Sequence, residues 1–223
     1  MKRKMIIIAV AVICVVVAGV IIVENLVLEH DIKPEPSPHP APEKPVIYLY
    51  PTEPTEVTVK LSYAGTIDCT YPVYNDGWEV TAYPDGTLVN HSYGKEYSYL
   101  FWEGHGAADY DFSTGFVVKA EDTAAFLQEK LAYMGLIAKE YNEFIVYWLP
   151  QMQEKAYNLL SFQGCAYTDT AELTIIPQPD SVLRVFMAFK PLDEPFEITP
   201  QVLAPFERTG FTVIEWGGCK ILE

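Results

Sequence analysis

The sequence predicts an α+β, mainly β fold: a strand-rich, sandwich-like single domain with about three helices, preceded by one N-terminal transmembrane helix. Three observations lead there. About ten short segments carry strand patterning against about three with helical spacing. Residues 46–223 hold all of the 15 tyrosines, 11 phenylalanines and 4 tryptophans, enough apolar bulk for one core. Residues 5–23 form an uncharged apolar run between Lys4 and Glu24.

The apolar run comes first. At about 1.5 Å per residue it spans about 28 Å, close to the hydrocarbon thickness of a bilayer. Lys2, Arg3 and Lys4 precede it, while Glu24, Glu29 and Asp31 follow. The positive side stays cytoplasmic, so a basic tip over 1–4 lies inside and the bulk of the chain outside. The expected localisation is thus the cell membrane, single-pass, with the C-terminal domain outside. The rival reading is a cleaved signal peptide ending near Val17-Ala18-Gly19, although Val20 to Val23 continues the apolar run. A lipid attached at Cys14 fits poorly, because Ile13 stands where a small residue is needed.

Residues 24–45 read as a proline-rich extracytoplasmic stalk. From Pro34 to Pro42 every second residue is proline. Such a chain is extended polyproline II, about 3.1 Å per residue, so Lys33–Pro45 would reach about 40 Å.

The globular part, 46–223, follows. Expected strands are Val46–Tyr50, Glu56–Ser62, Gly77–Tyr83, Thr87–Val89, Tyr97–Trp102, Gly115–Val118, Phe144–Leu149, Tyr157–Phe162, Ala171–Ile176, Val182–Phe189 and Phe211–Trp216. Pro84-Asp85-Gly86 marks a turn between two of them. Asp122 can cap a helix running to Met134, with Phe126, Leu127, Leu131 and Met134 on one face and Gly135 ending it. Pro150–Ala156 reads as a short helix. Thr199-Pro200 reads as a cap and first-turn proline of a third, ending near Gly210.

Charge narrows the partners. The net charge is −15. Lys2, Arg3 and Lys4 are three of the 15 basic residues, so 12 face 30 acidic residues outside, a net −18. That surface repels phosphate backbones and excludes nucleic acid as a partner. The expected partners are the membrane, through the N-terminal helix, and an envelope polymer or surface protein. Cys69, Cys165 and Cys219 lack any CxxC spacing, which speaks against a zinc ribbon or redox motif. Small buried residues in strands is the plain reading of all three; one disulfide among them stays open.

Several segments are distinctive: Lys44-Pro-Val-Ile-Tyr-Leu-Tyr-Pro51, Asp76-Gly-Trp78, Pro84-Asp-Gly86, Tyr99-Leu-Phe-Trp-Glu103, Asn142-Glu-Phe-Ile-Val-Tyr-Trp-Leu-Pro150 and Glu215-Trp-Gly-Gly218. They resemble a family of uncharacterised bacterial membrane-anchored or exported proteins, over nearly all of residues 44–223. The resemblance implies one exported domain and carries no chemistry with it.

Three glutamates stand inside aromatic segments: Glu103 after Trp102, Glu143 before Phe144, and Glu215 beside Trp216. A carboxyl in apolar surroundings has a raised pKa and can serve as acid or base. Glu103 and Glu215 are the catalytic pair to test, with His105 and Asp109 assisting. Strand alternation offers the plainer reading, in which Glu103 and Glu215 point away from Trp102 and Trp216, and the glutamates face solvent or are structurally paired. The loop Glu103–Asp111 gathers Glu103, His105, Asp109 and Asp111, a possible metal set centred on Asp109 and Asp111. Its spacing fails the EF-hand pattern at Thr114 and Ala120. Trp102, Tyr147, Trp148 and Trp216 are candidate ligand platforms or, more plainly, core. Ser92-Tyr-Gly-Lys95 and the sequon at Asn90 are isolated short matches. The sequence holds no nucleophile elbow, phosphate loop or dinucleotide fingerprint, so any cofactor is unknown.

Two functions compete on this reading. One is a surface binding module of envelope polymer, protein or small ligand. The other is an anchored glycan-directed hydrolase using paired carboxylates.

Overall fold

The computed structural model of the protein describes residues 43–106 and 109–221. The basic tip, the anchor over 5–23 and the stalk up to residue 42 lie outside the described residues. Among the described residues no helix is long and apolar enough to cross a membrane.

Among the described residues twelve strands and three α-helices follow one another: β1 (Glu43–Tyr50), β2 (Thr55–Tyr63), β3 (Thr66–Tyr71), β4 (Trp78–Ala82), β5 (Leu88–Asn90), β6 (Lys95–Tyr97), β7 (Leu100–His105), β8 (Phe116–Lys119), α1 (Thr123–Tyr133), α2 (Ala138–Trp148), β9 (Tyr157–Gln163), α3 (Cys165–Thr168), β10 (Ala171–Ile176), β11 (Ser181–Leu192) and β12 (Thr212–Lys220). The mainly β, α+β expectation holds. Seven strands form one sheet in the order β3-β7-β1-β12-β11-β9-β8, and five form a second in the order β10-β2-β4-β5-β6.

Two cores make this a three-layer stack. Ile47, Leu49, Leu100, Trp102, Phe186 and Val213 of the large sheet pack with Val57, Val59, Trp78, Val80 and Leu88 of the small one. The opposite residues, among them Tyr48, Leu160, Met187, Ile214 and Trp216, pack under Leu127, Leu131, Phe144 and Trp148 of α1 and α2. A strand covered on both faces is buried at every residue, which is why Thr212–Cys219 has none exposed.

The Glu215-Trp-Gly-Gly218 motif has a packing cause. A Cβ on Gly218 would sit 2.5 Å from the Met187 carbonyl and 2.8 Å from the Trp148 ring. A Cβ on Gly217 would come within 3.0 Å of Pro45. Both glycines let α2 and the bulged start of β1 close onto the sheet. Gly218→Ala is expected to cost about 1–3 kcal/mol through overpacking. Urea unfolding measures it, and a midpoint matching wild type would refute this packing account.

The expected strands mostly recur with shifted ends. Four segments differ. Phe144–Leu149 is helix, not strand: Phe144 and Trp148 are buried while Val146 between them is 75% exposed. Alternation would have buried all three; helical spacing buries Glu140, Phe144 and Trp148 together. Thr199–Gly210 is irregular, not helical, with one isolated bridge from Pro200 to Gly115. Pro205 falls inside the expected helix, where its ring would clash with the preceding turn. Instead the Gln201 amide brackets the Phe162 backbone, donating to its carbonyl and accepting from its N–H at 2.9 Å. Pro150–Ala156 contains only a single tight turn at Gln151–Gln153. The expected strand Tyr97–Trp102 breaks at Ser98 and Tyr99, where the chain steps from the small sheet (β6) to the large one (β7). β3 and α3 went unforeseen.

Helix α1 ends as read. Gly135 takes φ 106°, its N–H reaches Ala132 O at 3.1 Å, and Leu136 N reaches Leu131 O at 3.0 Å, a Schellman closure. Asp122 makes no side-chain cap. Glu140 does that work in α2, accepting from the Ile137 N–H at 2.9 Å. It also pairs with Arg208, which donates to the Gly135 carbonyl at 3.0 Å. The Pro84–Gly86 turn is present: Gly86 adopts φ 88° and Thr87 N donates to the Asp85 carboxylate at 2.9 Å. Among the described residues Cys69, Cys165 and Cys219 form no disulfide with one another. Only Cys219 is buried, which corrects the expectation for the other two.

Candidate functional site: a tyrosine groove at the sheet edge

The best-formed site lies where β3, the end of β6, β7 and helix α2 meet. Two concavities share Tyr71 and Tyr99. One, of about 520 Å³, is lined by these two with Tyr97, Glu96 and Glu143, besides Thr87 and Ser98. The other, of about 290 Å³, adds Lys44, Phe101, Glu103 and Tyr147. The combined groove is within the usual size of ligand clefts and pairs aromatic walls with a few charged groups.

Each wall has a structural origin. Tyr71 closes β3 and stands 61% exposed, its ring edge-on to Tyr97 at 5.0 Å. Tyr99 sits at the step between the sheets and meets Tyr48 edge-on at 5.4 Å. Lys44 has φ 48°, an uncommon value for a non-glycine residue, at the bulge in the β1–β12 register. That kink carries its Nζ to 4.8 Å from the Tyr147 ring and 5.6 Å from Trp216. Burial lowers the Lys44 pKa, and the Glu143 carboxylate opposes the drop. Glu143 accepts a hydrogen bond from the Tyr48 hydroxyl at 2.7 Å. Burial, and then this carboxylate, push the Tyr48 phenol far above its ordinary range.

The catalytic pair expected from sequence is not assembled. Glu103 lines the groove on the helix side of the large sheet, next to Lys44 and Tyr147. Glu215 points to the other side, between the sheets. It accepts from the Trp102 indole at 3.4 Å and the Tyr167 hydroxyl at 3.0 Å, and it pairs with Arg184 on the neighbouring strand. Alternation did place Glu215 opposite Trp216. It faces a second core rather than solvent, because the sheet is covered on both sides. Its three partners leave it no open approach.

His105 is exposed and shares its Nδ1 with the Asp68 carboxylate at 2.7 Å. Asp111 is engaged in a local turn: its carboxylate accepts from Ser113 N at 2.7 Å, and Ser113 holds it below the usual carboxylate range. Its carbonyl takes hydrogen bonds from Ser161 and Gln163. Asp109 is exposed. Among the described residues no group of three His, Cys, Asp or Glu is placed to hold a metal. The metal set read from the loop is thus not gathered: His105 is tied to Asp68 and Asp111 to Ser113. Of the four candidate platforms, Trp102, Trp148 and Trp216 are fully buried core. Tyr147 alone reaches the groove.

Sequence reasoning missed Tyr71, Tyr97 and Tyr99. Tyr97 and Tyr99 carry a faint signal in their alternate spacing, but the groove joins three segments far apart in the chain.

A larger hollow, about 820 Å³, runs beside β8 and α1 between Phe116, Phe126 and Phe196. Lys119, Asp122, Glu129 and Glu197 also line it, so size favours the hollow, and what sets the groove apart is its cluster of tyrosines beside the charged groups.

Over 64 residues the chain is 48% identical to the "Uncharacterized protein in bglA 3'region" of Butyrivibrio fibrisolvens, covering 27% of this chain and 65% of that protein. The chain therefore spans less than two thirds of that relative's length. No known protein-family pattern matches the chain, and no solved structure matches it.

Proposed function

We propose that this chain is a membrane-tethered binding module whose tyrosine groove holds a segment of envelope glycan. The N-terminal apolar run is the tether, and the proline-rich segment lifts residues 44–221 away from the bilayer. The observation that carries the reading is the groove: Tyr71, Tyr97, Tyr99 and Tyr147 offer ring surfaces beside hydrogen-bonding carboxylates. Flat sugar rings are matched by that combination of apolar face and polar rim.

Calorimetric titration of the full-length chain in detergent with hexamers of glucose, N-acetylglucosamine and glucosamine tests it. Saturable binding of at least one is expected; binding of none removes the glycan reading. The tether has its own test. The full-length protein should sediment with membranes after alkaline washing, whereas recovery as a soluble, trimmed form would establish a cleaved signal peptide.

A glycan hydrolase is the second reading, since Glu103 and Glu143 line adjoining halves of one groove. Release of reducing ends from the bound hexamer, abolished in Glu143→Gln, would favour it. Binding without any cleavage would favour the module.

A further inference from the structure

We propose that the groove selects a cationic glycan, a chain of amino sugars carrying free primary ammonium groups. This rests on the glycan reading above and adds the charge of the ligand.

Charge is the first ground. The lining residues Glu96, Glu103 and Glu143 face a single lysine, Lys44. In the larger half, Glu96 and Glu143 accompany Tyr71, Tyr97 and Tyr99 with no basic residue in the lining. Lys44 balances only one of these three carboxylates, so a neutral sugar would leave the groove with an excess of negative charge, and an anionic one would be repelled. An ammonium on each sugar supplies the missing partner.

The second ground is already built into the site. Lys44 sets a partly desolvated ammonium on the Tyr147 and Trp216 rings. The groove thus stabilises one ammonium by ring faces and a nearby carboxylate. Tyr71, Tyr97 and Tyr99, with Glu96 and Glu143, repeat these ingredients in the open half. The −18 charge of residues 24–223 would also draw a polycation toward the domain.

The hexamer titrations discriminate. In about 0.02 M salt, the glucosamine hexamer should bind the full chain about tenfold more tightly than its N-acetylated counterpart, and about 0.5 M salt should remove most of that gap. Glu96→Gln with Glu143→Gln should erase the preference while N-acetylglucosamine binding persists. Lys44→Gln should sharpen it. A control removes the same charge elsewhere: Glu121 follows β8 and Glu172 lies on β10, each at the sheet edge opposite the groove strands. Glu121→Gln with Glu172→Gln should leave the preference intact. Equal affinities for the hexamers, or equal losses in both double variants, overturn the inference while leaving glycan binding in place. Failure of all three hexamers overturns the glycan reading as well.

Discussion

Tyr71→Ala is expected to weaken hexamer binding by about five- to thirtyfold, which is ~1–2 kcal/mol. The residue is 61% exposed in the ligand-free chain and lines both halves of the groove. Its ring therefore has most of its burial still to gain when a ligand lands on it. Central aromatic anchors that become desolvated dominate binding energy, while rim contacts contribute little. Folding should be nearly untouched. The ring's main internal contact is the edge-on pair with Tyr97, of order 1 kcal/mol at most. A denaturation midpoint close to wild type, together with a large loss of affinity in calorimetry, is the expected pattern. Unchanged affinity would move the binding site away from this groove, and the hollow beside β8 would become the candidate. Tyr99→Ala is a less clean probe, because Tyr99 also packs on Tyr48.

The architecture was legible wherever local pattern and tertiary setting agreed. Alternation in Val57, Val59 and Leu61 fixed one face of β2, and that face is buried as read. Gly135 closed α1 because only a residue free to take positive φ can make that turn without strain. Apart from Thr199–Gly210, where Pro205 was a local signal against helix, the main misreadings share a root: sequence pattern reports how many faces are buried, not what covers them. Phe144–Leu149 is as apolar as a buried strand, and its helical period depends on Glu140, a charged residue that is nonetheless fully buried. Nothing local announces that, because its burial is made tolerable by Arg208, 68 positions away. The groove was harder still. Glu103, Glu143 and Tyr147 stood out as odd, yet nothing in the chain says that Tyr71 and Tyr97 join them while Glu215 does not. That partition follows from which side of the large sheet each residue faces, and from the small sheet covering the other side.

Glu215→Leu is expected to destabilise the domain by about 3–5 kcal/mol, the usual effect of removing one partner of a buried ion pair. The carboxylate is fully buried and Arg184 nearly so, on adjacent parallel strands in register. Losing Glu215 would strand the Arg184 guanidinium, which lies 4.9 Å from the centre of the Tyr167 ring. It would also leave the Tyr167 hydroxyl and the Trp102 indole without an acceptor. Burial is the largest cause holding the Tyr167 phenol well above its ordinary range, and that burial persists in the variant, which works against its ionising to replace the missing charge. Arg184→Met in the same chain should recover a large share of the loss, because the charge left unpaired is the dominant cost. Chemical denaturation of the two single variants and the double variant forms the cycle that measures the coupling. Hexamer binding by the folded fraction should be unaffected, since Glu215 lies between the sheets and not in the groove. If instead Glu215→Leu folded normally but lost ligand, the buried cluster would be part of the site, and the assignment of the groove to the helix side of the sheet would be wrong.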